Sequence, residues 1–118
     1  MTKLIDIHRH HWAFDWFPPS HLKEFNKLRA IRTNRSIEEV LQRAEQSPVF
    51  DSSGSWMLSE MEQYKIDFSV VLCNDMGMGY GPDEDNQISI QQINEKTAEV
   101  CDANPDKLAW FCGVDPRR

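Results

Sequence analysis

Apolar positions along the chain switch between a period of two and a period near 3.6, and the switches mark the elements. Lys3–His8 (KLIDIH) reads as a strand. Residues 13–35 are mixed: aromatics and Pro18-Pro19 lead into a polar, basic stretch, partly helical, through Arg35. Ser36 and Glu39 match a capping box, and Ile37, Val40, Leu41 and Ala44 follow at helical spacing until Ser47-Pro48. A turn at 51–55 (DSSGS) precedes a short helix over Trp56–Lys65, with Met57, Met61 and Tyr64 along one side. Ile66–Cys73 (IDFSVVLC) is β-branched and apolar enough for a second strand. After a loop over Asn74–Gln87, Ser89 and Gln92 form another capping box. The helix it opens turns Ile90, Ile93, Thr97, Ala98 and Cys101 inward and stops at Asn104-Pro105. Leu108–Val114 (LAWFCGV) is the third strand.

Strand, helix, strand, helix, strand predicts an α/β fold with a parallel sheet and crossover helices. Sequential order 1-2-3 puts both crossover helices on one face. The other face then needs a cover, which residues 13–50 or the interior of a closed barrel would provide. The pattern reads as the beginning of something larger.

The chain has 118 residues, 40% hydrophobic and 27% charged, which fits one globular domain spanning 1–118. A formal net charge of −6, with no strongly basic segment, argues against nucleic acid or an anionic membrane as partner. No apolar run reaches the length of a membrane span. Cys73, Cys101 and Cys112 are odd in number and lie in apolar patterns, so they read as reduced core thiols of a cytoplasmic protein.

The chemistry concentrates at residues 4–12, LIDIHRHHW. Along a strand alternate side chains share a face, so Asp6, His8 and His10 are expected on one side and Ile7, Arg9 and His11 on the other. Histidines two apart lie roughly 6.6 Å apart at Cα, and their rings can converge on one ion. The end of a parallel strand is also where α/β folds place functional groups. His8 and His10 are therefore the candidate metal ligands, with His11 packed behind them.

The motif IDIHRHHW resembles the Asp-x-His-x-His signature on the first strand of the amidohydrolase superfamily, nearest its amidohydrolase-2 branch of metal-dependent hydrolases and decarboxylases. MEQYKIDFSVVL (61–72) is similar to that branch's next helix and strand, and NEKTAEVCDANPDKLAWFCGVDPRR (94–118) to the helix, turn and strand that follow. Residues 13–52 find no match and read as an insertion between the first strand and its crossover helix. The resemblance implies a (β/α)8 TIM-like barrel, incomplete in this chain, since an intact one takes roughly 250 residues. It implies a divalent metal, zinc the expected ion, on His8 and His10, with Asp6 holding the strand end. The reaction implied is hydrolysis of an amide or ester, or non-oxidative decarboxylation of a small carboxylate. The family's later ligands and its last-strand proton-transfer aspartate have no counterpart before Arg118, so no catalytic residue is assigned and the chain alone is expected to be inactive.

Other signals are weaker. GMGYG (77–81) lacks the third glycine of a dinucleotide loop, where Pro82 stands, and reads as a loop at a substrate mouth. Trp12, Asn74 and Asp75 are candidate pocket residues for a small-molecule substrate. Trp12, Phe14, Trp16 and Phe17 read equally as a pocket wall and as a local core. Cys73 and Cys112 read as core rather than as zinc ligands. Three alternatives stay open: part of an enzyme, a non-catalytic remnant or interaction module, and half of a split barrel completed by another chain. Open sheet edges make self-association an expectation.

Overall fold

A computed structural model describes residues 2–74 and 85–114. Strand β1 (Ile5–His10) is followed by a 3-10 turn (Phe14–Trp16), then by helices α1 (Pro19–Thr33), α2 (Ile37–Glu45) and α3 (Ser55–Gln63). Strand β2 (Phe68–Leu72), helix α4 (Ile90–Asp102) and strand β3 (Leu108–Phe111) complete the order. The three strands form one parallel sheet in the order β1-β2-β3. The molecule is thus mixed α/β, with the sheet topology that the hydrophobic pattern predicts.

Both capping boxes form, with Ser36 and Glu39 opening α2 and Ser89 and Gln92 opening α4. Helix α1 begins on Pro18-Pro19, where the missing N–H groups cost nothing. It closes at Asn34, which takes the left-handed conformation (φ 50°) while the Arg35 N–H bonds back to the Ala30 carbonyl. Helix α3 stops before Lys65, not at it. Lys65 is left-handed (φ 56°) and the Ile66 N–H returns to the Met61 carbonyl. Tyr64 therefore caps the helix and is exposed instead of joining Met57 and Met61.

The strands differ in extent from their apolar runs, for backbone reasons. β1 continues through the polar residues Arg9 and His10 because they pair with Val71 and Leu72. β2 starts late because Ile66 closes α3 and Asp67 donates its N–H to the Leu4 carbonyl. β3 ends at Phe111, and two residues on the Asn94 side-chain amide takes both the N–H and the carbonyl of Gly113, at 2.8 and 2.9 Å. A Cβ on Gly113 would lie 2.6 Å from Ile90 Cδ1 and 3.1 Å from the Cys73 carbonyl, so a side chain here would have to displace its neighbours.

One face of the sheet carries Val71 and Leu108, buried against Met57 and Met61 of α3 and Cys101 of α4. A second core joins Ala13, Trp16, Phe17 and Leu22 to Ile93 of α4. The sheet's other face is open: Ile5, Ile7 and Phe111 are 52%, 74% and 66% exposed, and residues 13–50 do not cover it. No helix among the described residues is long and apolar enough to cross a membrane. The GMGYG loop and Asp75 lie outside the described residues.

Candidate metal centre

Register decides how β1 presents its side chains. Ile5 and Asp6 pair with Phe68 and Ser69, but Arg9 and His10 pair with Val71 and Leu72, so β1 carries one extra residue between Asp6 and Arg9. This bulge resets the alternation. Paired residues share a face, which puts Asp6 and Arg9 with Ser69 and Val71 on the helix-covered side and His10 with Leu72 and Phe111 on the open side. Strict alternation had grouped Asp6 with the two histidines, and the bulge corrects that grouping.

Asp6 and Arg9 serve the strand. The Asp6 carboxylate accepts the His8 backbone N–H at 3.0 Å and lies 3.7 Å from Arg9. The Arg9 guanidinium pairs with Glu60 of α3 and sits 5.8 Å from the Trp56 ring centre. This clamp ties the bulged segment to α3, and its signal in the sequence is only one arginine between two histidines.

His8 and His10 meet. Their Nε2 atoms are 3.1 Å apart and their rings cross at 84°. On the far side of its ring His10 Nδ1 lies 3.0 Å from the Leu72 carbonyl, and a carbonyl can only accept. His10 Nδ1 therefore carries the proton and donates it, which leaves the Nε2 lone pair of the neutral ring facing His8. Two lone pairs at 3.1 Å would repel. Either His8 donates an Nε2 proton to His10, or both nitrogens share a cation.

The pair fits a metal ion on this geometry. With nitrogen–metal bonds of 2.0–2.1 Å, a separation of 3.1 Å corresponds to an angle of about 100° at the ion, between octahedral and tetrahedral values. A ligand histidine usually donates its other ring N–H to a carbonyl or carboxylate, as His10 does to Leu72. Among the described residues, no group of three His, Cys, Asp or Glu side chains comes together as a metal cage. Further ligands would have to be water, substrate or groups outside the described residues.

The remaining histidines play other parts. His11 is buried, with Nε2 3.0 Å from the Ser52 carbonyl and Nδ1 3.1 Å from the Thr97 hydroxyl, and its ring stands edge-on to Trp16. Burial outweighs the Ser52 and Asp51 contributions and holds its pKa below the ordinary histidine value. It is a neutral structural residue: Nε2–H donates to Ser52 and Nδ1 accepts from Thr97. Cys73 is half-buried, and burial pushes its thiol pKa up, against the Thr97 side chain and the Gly113 backbone. Cys112 is exposed. His21 lies on α1, among the residues lining a cavity beside the centre.

Trp12 stacks on His10 at 5.0 Å, nearly parallel, and lines that cavity together with Asn74 at the end of β2. Phe17 lines it too, whereas Phe14 and Trp16 belong to the local core. The aromatic segment is therefore both wall and core. The Leu72 carbonyl has no signature in the sequence, because it is backbone. Arg29 and Arg43 in the cavity wall carry no sequence signal either, since a lone arginine in a helical segment marks no site. The chain matches no protein-family model, no curated protein and no solved structure.

Proposed function

We propose that His8 and His10 are the first-strand ligands of a catalytic divalent metal centre of the amidohydrolase kind. On this reading the chain forms the N-terminal part of a metal-dependent hydrolase or non-oxidative decarboxylase. The observation that carries it is the opposed Nε2 pair at 3.1 Å, with His10 fixed in its ligand tautomer by the Leu72 carbonyl. A zinc ion held there supplies Lewis acidity, polarising a carbonyl or carboxylate oxygen and acidifying a water near neutral pH. The chain's own residues position: Asp6 and Arg9 hold the bulge, Leu72 orients His10, and Trp12 walls the substrate side.

One observation favours a second reading. The open apolar sheet face, with Ile5, Ile7 and Phe111 exposed, is a surface that another polypeptide would cover in a split barrel or in an interaction module without catalysis.

Two imidazoles leave at least two positions of a tetrahedral site to other ligands, so zinc binding by the chain is expected to be weak, with one ion per chain. Calorimetric titration with zinc should show this, and His8→Ala and His10→Ala should each lower the affinity about tenfold or more. Tight binding that survives both substitutions would place the metal elsewhere.

A further inference from the structure

A cavity of about 600 Å³ opens between α1, the end of α2 and the end of β2, within the range of small-molecule sites. Trp12, Phe17 and Phe50 meet along it, with ring centres 5.6 to 6.3 Å apart. Three aromatic rings in mutual contact offer a flat ligand stacking and edge contacts. The opposite face of the arrangement reaches the metal centre, because Trp12 also stacks on His10.

The charged groups described in the wall have one sign. Arg29 and Arg43 line the cavity, neither is ion-paired among the described residues, and no carboxylate is among the lining residues described. That runs against a chain of net charge −6. Burial keeps the His21 pKa below the ordinary histidine value, so at neutral pH the arginines supply the positive charge. The Trp12 indole N–H is buried, with no hydrogen-bond partner among the described residues, so it is the face of the ring and not its N–H that the cavity uses.

We propose that this cavity binds a carboxylate with a flat apolar body, its ring among Trp12, Phe17 and Phe50 and its charge served by Arg29 and Arg43. That the ligand is the substrate rests on the metal-centre reading; that it binds does not. Guanidinium groups match carboxylates with paired N–H donors. Residues 13–50, which have no counterpart in the motif-bearing segments, then set specificity.

The probe is 2-naphthoate, titrated calorimetrically into the chain in the presence of EDTA, against neutral 2-naphthamide. Naphthoate should saturate one site per chain and bind about tenfold or more tightly than the amide, the equivalent of 1.4 kcal/mol. Arg29→Gln/Arg43→Gln should remove that preference, Arg29→Lys/Arg43→Lys should restore part of it, and Trp12→Phe should weaken naphthoate severalfold. Both arginines are exposed, so the glutamine variant should keep the parent's circular dichroism and melting curve. Equal affinity for acid and amide, no binding at millimolar concentration, or naphthoate binding indifferent to the arginines would overturn the proposal. A separate zinc titration without naphthoate keeps the two readings apart. Zinc binding at the histidines with no naphthoate binding sinks the cavity alone, and the reverse sinks the metal centre alone.

Discussion

At the scale of single residues, the buried His11 depends on groups that carry no chemistry themselves. Asp51 is one. Its carboxylate accepts from the Ser53 N–H and hydroxyl and, at 2.8 Å, from the Trp56 N–H in the first turn of α3. It thereby orders the turn whose Ser52 carbonyl receives His11. Desolvation pushes the Asp51 pKa up, but the bonds from Ser53 and Trp56 outweigh it, and the net pKa lies below the ordinary carboxylate value. A depressed folded pKa means stability that is present above the unfolded pKa and lost as pH falls through the folded one. Asp51→Ala should therefore cost about 1 kcal/mol at pH 7, as for a lost helix cap, and should flatten the acid limb of stability against pH. Urea melts across pH 2–7 check this, and a cost independent of pH would contradict it.

At the scale of elements, Gly54 couples α3 to α4. It takes φ +72°, and a Cβ there would lie 2.5 Å from Val100 Cγ1. Gly54→Ala should destabilise by about 1–3 kcal/mol, part from the left-handed backbone and part from the clash. Val100→Ala should relieve the clash, so the double variant should lose less than the two single losses combined. Thermal melts of the four proteins measure that coupling, and plain additivity would deny the contact. The elements also show what a sequence pattern can carry. Ser36 with Glu39 and Ser89 with Gln92 announce α2 and α4 because a cap is local chemistry. Helix α1 stayed half-legible because it buries Leu22, Asn26 and Ala30 while Phe25, Leu28 and Ile31 face outward. The spacing of His8 and His10 was legible, but the bulge that moved Asp6 to the other face was not. It is a slip in backbone pairing, which no side chain announces.

At the scale of the whole molecule, two apolar surfaces stay open. Ile5, Ile7 and Phe111 lie exposed on the sheet, and Phe25, Leu28 and Ile31 are exposed along α1. Among the described residues β1 and β3 are also unpaired on their outer edges. Such surfaces favour association. The chain should self-associate at micromolar concentration in light scattering, and Ile7→Lys/Phe111→Lys should shift it toward monomer without loss of helix content. A monomer in the parent chain would show that these faces are tolerated in water.

The central claim is that His8 and His10 share one ion, and the most direct measurement is the tautomer of each imidazole, read from two-bond ¹H–¹⁵N correlations during zinc titration. Without metal, His10 should be the Nδ1–H tautomer, donating to Leu72, and His8 the Nε2–H tautomer, donating to His10. With zinc, His10 should keep its tautomer, and His8 should give up the Nε2 proton and become Nδ1–H. Both Nε2 resonances should move together to one equivalent, while His11 keeps its bonds to Ser52 and Thr97. Zinc-dependent shifts confined to His21, or a His8 that keeps its Nε2 proton at saturation, would contradict the shared site.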